Sequence, residues 1–96
     1  MGAPTVTSNS YGFRSTGGTD ATVLTSMKTR VKTLNLVASA ANDTATVTDA
    51  DGNAIVILTS QGVAGDITQF FMEEAPVNGL KVALSTTSSV FIAVIC

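Results

Sequence analysis

The sequence predicts an all-β fold: a single small β-sandwich or jelly-roll-like barrel of about seven or eight antiparallel strands, with an extended N-terminal arm. Three observations predict it. Val, Ile and Thr dominate from residue 21 onward, and β-branched side chains suit a pleated, half-buried surface. Turn signals recur roughly every 8–12 residues. No segment holds apolar residues at helical spacing over several turns, and no capping residue leads into such a run.

Residues 1–20 are read as the arm and residues 21–96 as the sandwich domain. The stretch from Ser8 to Thr19 is small, polar and Gly-rich, without a sustained period; a short strand is allowed from Pro4 to Thr7. Ala21 to Met27 reads as one strand and Thr29 to Ala38 as the next. Lys28, Arg30 and Lys32 share the parity of Leu34, Leu36 and Ala38. That switch from cations to core residues predicts a bulge, or a strand passing from rim to core. Ser39 to Asp43 is a polar turn. Ala45 to Asp49 and Ala54 to Thr59 pair about Asp51-Gly52-Asn53, residues that tolerate positive φ. Gln61 to Asp66 is a loop and Ile67 to Met72 a strand. Glu73 to Gly79 is a longer loop holding Pro76 and a tight turn at Asn78-Gly79. Leu80 to Leu84 alternates cleanly, Thr86 to Ser89 turns the chain, and Val90 to Ile95 ends it. Ile55 to Leu58 and Val90 to Ile95 are apolar on both faces, which predicts strands that are central or covered on both sides.

Composition removes whole classes of function. The 96 residues suffice for one core. Charged residues make up 12%, about half the usual share, so Thr, Ser, Asn and Gly must cover the surface, or other subunits must hide it. There is no His and one Cys, Cys96, which excludes a Ser-His-Asp triad, a Cys-His pair, a structural zinc site and an intrachain disulfide. A net charge of −2 argues against nucleic acid as a partner. No apolar run reaches the ~20 residues of a membrane helix, and the N-terminus has neither the charged nor the apolar region of a signal peptide. No membrane partner and no cofactor are expected.

The remaining candidates are weighed by geometry. Asp49-Ala50-Asp51-Gly52-Asn53 has part of a calcium loop but lacks most of its ligands, and a hairpin turn wants the same residues for backbone reasons; no metal is expected. Glu73 and Glu74 are adjacent and point to opposite sides of an extended chain, so they read as a solvated loop or an ion pair with a neighbouring subunit. No enzyme is expected. Tyr11, Phe13 and Arg14 are candidates on the arm, the two aromatics sharing one side and either capping the chain's own core or anchoring on a neighbour. Lys28, Arg30 and Lys32 line one strand face, for edge protection or for an acidic partner surface. Phe70-Phe71 places one ring in the core and one outward, and Phe71 is taken as the interface residue.

The run from Asn78 through Gly79-Leu80-Lys81-Val82 to Ile95, with its Thr/Ser turn and final apolar strand, resembles the end of small β-sandwich virion proteins of tailed bacteriophages. Val31 to Ala40 and Ala45 to Gly52 are similar to the earlier strand and hairpin of that group. The resemblance spans about residues 28–95. It implies a homotrimer standing on the outer surface of a phage head, with the major capsid protein as partner and residues 1–20 reaching the shell. Such a protein is made in the host cytoplasm and resides in the virion. The alternative is a glycan- or receptor-binding module of a phage tail or fibre.

Overall fold

The computed structural model describes residues 4–61 and 64–95. The readings of residues 1–3 and Cys96, and of Gly62 and Val63 in the loop, lie outside the described residues. Seven strands are present among the described residues: β1 (Thr5–Asn9), β2 (Gly12–Thr16), β3 (Thr22–Val37), β4 (Thr44–Thr48), β5 (Ala54–Thr59), β6 (Ile67–Leu84) and β7 (Val90–Ile95). All are antiparallel and belong to one sheet of order β1-β2-β7-β3-β6-β4-β5.

Hydrogen bonding therefore does not divide the strands into two sheets. β3 has 16 residues and β6 has 18, and each takes part in two halves. One half is β1-β2-β7, the end of β3 and the start of β6. The other is the start of β3, the end of β6, β4 and β5. Residues from both halves, among them Leu34, Leu36 and Phe91 on one side and Val47, Leu58 and Val82 on the other, form a single buried cluster. The sheet thus curls so that its two halves share one core. Burying such side chains is worth roughly 1.5–3 kcal/mol each.

The sequence expectation of two strands across residues 21–38, and of two strands and a loop across 67–84, is corrected by these long elements. Register shifts absorb what looked like loops. Val31 pairs with Ala75 and Thr33 with Phe71, so Lys32 stands against Met72, Glu73 and Glu74. Glu73 and Glu74 take positive φ, 53° and 65°, inside the strand. The extra residues turn the faces over: Val31 is buried on one side of the shift, Leu34 and Leu36 on the other. Pro76 is accommodated because β6 has only β3 beside it at that point; β4 joins from Lys81 onward.

Asn78-Gly79 is also in-strand rather than a turn. Thr25 pairs with Leu80 and Lys28 with Asn78, leaving Ser26 and Met27 against Gly79. Gly79 has φ 90°, and a Cβ there would lie 2.6 Å from the Thr25 carbonyl oxygen. The Asn78 carbonyl accepts the Ala50 amide at 3.0 Å, which ties this bulge to the β4–β5 hairpin. That hairpin forms as expected about Gly52, φ 91°. Its second strand, β5, is an edge strand paired only with β4, and Ile57 is exposed; the expectation that it is central or covered on both sides is overturned. β7 is central, between β2 and β3.

Residues 5–16, read as irregular arm with at most a short strand, form a hairpin whose second strand is bonded to β7. Hydrogen bonding there crosses the 20/21 boundary drawn from the sequence. The period was missed because β1 is exposed at every position and carries no apolar alternation.

Gly79→Ala is expected to destabilise the fold by about 2 kcal/mol or more, since strain adds to backbone overlap. Gly17→Ala, at φ 85° with open space around it, is expected to lose only about 1 kcal/mol. Urea midpoints of the two variants against the parent check the order.

Candidate interaction surfaces

Registered pairs share a face, so the rows of the five-stranded half can be written across it. Facing the core run Thr68, Leu36, Phe91, Ser15, Val6 and, next to them, Phe70, Leu34, Ala93, Phe13, Ser8. Facing outward are Ile67, Val37, Val90; then Gln69, Asn35, Ile92, Arg14, Thr7; then Phe71, Thr33, Val94, Gly12, Asn9. Six outward positions are large and apolar. Ile67 and Phe71 are exposed, and Val37, Val90, Ile92 and Val94 are half-buried among their neighbours. β7 is therefore apolar on both faces and central, which meets the expectation of a strand either central or covered, while its outward face is only half-buried.

Asn35 sits in the middle of this outward face and is buried. Its Nδ2 donates to the Thr33 hydroxyl and the Ile92 carbonyl, both at 3.1 Å, which pins β3 to β7. Its Oδ1 is buried with no partner. Sequence reading passed over Asn35, since only the register reveals its apolar surroundings.

The aromatic candidates of the first hairpin part company. Tyr11 lies in the β1–β2 turn at 77% exposed, while Phe13 packs against the core. The turn is built by Asn9, whose side-chain oxygen accepts the amides of Tyr11 (2.8 Å) and Gly12 (3.2 Å). A turn breaks the two-residue alternation that was to put both rings on one side. Arg14 is exposed on β2. Thr7, Asn9, Tyr11, Arg14, Ile92 and Val94 surround an open depression of about 220 Å³. Gly12 at its floor is fixed by the backbone: a Cβ there would meet the Ala93 carbonyl oxygen at 1.9 Å, so β2 and β7 pair this closely only because position 12 is glycine.

Lys28, Arg30 and Lys32 are all exposed on β3. Lys28 and Arg30 stand where β3 has β6 as its only neighbour; Lys32 falls in the register shift, off their alternation. The Arg30 Nη1 donates a long 3.4 Å bond to the Glu74 carbonyl. Phe71 is outward, as expected, but Phe70 is also exposed, 39% against 66% for Phe71. Neither ring is in the core, because this part of β6 is an edge and Phe70 reaches only its rim.

Among the described residues, no three Cys, Asp or Glu side chains converge where one metal ion would sit. Asp49 is committed to its turn. Its carboxylate accepts the amides of Asp51 and Asn53 at 2.9 Å and the Asn53 side-chain amide at 3.1 Å. The Asn53 bonds chiefly hold its pKa below the ordinary aspartate value.

A second carboxylate, unnoticed in the sequence, ties the opposite loops together. Asp43 Oδ2 accepts the Ser39 amide (2.7 Å), the Ser39 hydroxyl (2.6 Å), the Ala40 amide (3.1 Å) and the Ser89 hydroxyl (3.0 Å). Thr86 joins the Ser39 and Ser89 hydroxyls. The Asp43 carbonyl also takes the amide of Ser60. The Ser39 hydroxyl, more than any other donor, holds this carboxyl below its ordinary value, against the opposing effect of burial.

The chain matches no known protein family, no curated protein and no solved structure. The likeness to phage virion proteins thus rests on sequence pattern alone.

Asp43 has a folded-state pKa lowered from 3.8, so its ionised form stabilises the fold above that value and the contribution is lost as pH falls through the lower folded one. Asp43→Asn is expected to melt well below the parent at pH 7. The gap should narrow below pH 3.8, as thermal scans from pH 7 to strong acid would record.

Proposed function

We propose that this chain is a structural virion protein, a capsid decoration (cement) protein that binds the outer surface of a phage head as a trimer and stabilises the shell. One observation carries the reading: the outward face of the five-stranded half, with Ile67 and Phe71 exposed beside Val37, Val90, Ile92 and Val94. Single apolar residues on a surface need no explanation, but a contiguous set in a domain so poor in charge marks a contact surface. Cementing asks for such a surface and for no nucleophile, base or metal. The all-β body, with its single buried cluster, supports a surface of this kind. Burial of ~400 Å² of apolar area at ~25 cal/mol per Å² gives at most about 10 kcal/mol per site before ordering costs, and a shell repeats the contact many times.

The depression beside Tyr11 favours a second reading, a glycan- or receptor-binding module of a tail or fibre. It offers one exposed ring, the Arg14 guanidinium and the Asn9 and Thr7 side chains around a concave surface.

The two readings separate experimentally. Added to heads that lack it, the chain is expected to co-sediment and to appear on the outer shell in image reconstructions, in multiples of three copies. Phe71→Lys, at an exposed ring of that face, is expected to weaken that binding at least ~10-fold, about 1.4 kcal/mol, with a melting temperature close to the parent's. Absence from heads, together with retention on a glycan panel that Tyr11→Ala abolishes, would replace the first reading by the second.

A further inference from the structure

Every strand edge in the sheet either has a neighbour or is open, and the open ones differ. In the half made of β3's start, β6's end, β4 and β5, the two open edges are β3, which carries Lys28 and Arg30, and β5. Cations on the β3 edge oppose strand addition, and β5, though uncharged, is broken by the register shift at Ile55 that leaves only Val56–Thr59 regularly paired. In the other half the open edges are β1 and the start of β6. Neither carries a charge: β1 is Thr-Val-Thr-Ser-Asn and the β6 stretch is Ile67-Thr68-Gln69-Phe70-Phe71-Met72. β1 is exposed throughout, and Ile67, Gln69, Phe70 and Phe71 are exposed. The β6 edge is closed off further along by the Glu73–Glu74 bulge and Pro76, so that six residues remain unprotected.

We propose that the start of β6 is an interaction surface whose occupant is β1 of a second copy of this chain, added head to tail so that copies close into a ring. Antiparallel order across β1, β2, β7, β3 and β6 makes β1 and β6 run the same way. A second copy turned to bring its β1 against this edge then adds it parallel to β6, and repeating the same turn defines the ring. The fit is one of charge. Two β6 edges paired antiparallel about a twofold axis would set Asp66 of one copy against Glu73 of the other, flanking the open stretch with like charges. β1 brings no charge to either end. A heterologous contact of this kind either closes or grows into a filament; closure leaves neither edge open. The proposal deepens the trimer reading, and it rests on that reading only for the number of copies.

The test uses the full chain in a Cys96→Ser background with two exposed outward positions, Thr7→Cys and Gln69→Cys, and a short bismaleimide that tolerates a small register slip. Neither variant should cross-link alone. A mixture should give a covalent 1:1 pair, and the double variant a closed ladder ending at the ring. Sedimentation of the unmodified chain should give one closed species of at least three times 9.8 kDa. Gln69→Cys cross-linking to itself would overturn the proposal in favour of a twofold pair. A single copy at millimolar concentration would also overturn it, and if that single copy still decorated heads, the cementing role would stand without the ring. Rings that bind no heads would do the reverse.

Discussion

The ribbon formed by β3 and β6 is the constraint on which the molecule depends. Two strands of 16 and 18 residues cannot stay flat and still bury both of their ends against one core. Their right-handed twist and register shifts let the early half of β3 face the late half of β6, while the late half of β3 joins β7. The shift at Lys32 and Met72–Glu74 is the decisive one. It inverts which parity is buried, and it is held by two non-glycine residues in the left-handed region. Such residues persist only where the surrounding pairing over-determines them, and here β3 and β6 pair on both sides of the shift.

Much of this was legible in the residues. β-branched composition, the hairpin at Gly52 and the clean alternation of Leu80, Val82 and Leu84 all follow local rules that the structure obeys. The parity conflict between Lys32 and Leu34 predicted a bulge or a strand passing from rim to core, and the register shift between Val31 and Thr33 is the bulge. What local rules could not supply was continuity. Glu73, Glu74, Pro76 and Gly79 each signal a break, yet the neighbouring strand holds them in one ladder. Likewise β5 reads as a central strand by hydrophobicity and stands at an edge, because hydrogen-bonding neighbours are a property of topology rather than of composition.

The candidate residues divide in the same way. Phe71 and the cations of β3 could be located from alternation, since they are exposed side chains on strands. Tyr11 and Phe13 were paired by an alternation that the Asn9 turn interrupts. The outward apolar face was legible only in pieces, the second apolar face of β7 and the outward Phe71, because it is assembled from three strands distant in sequence.

The loop cluster around Asp43 has a further consequence. Its donors are hydroxyls and backbone amides, and no lysine or arginine takes part. Dissolved ions weaken attraction between opposite charges, but they do little to a buried anion solvated by neutral dipoles. Three connections at one end of the molecule are therefore fastened by a clasp indifferent to ionic strength, so that brine and dilute buffer should leave that end of the fold equally firm.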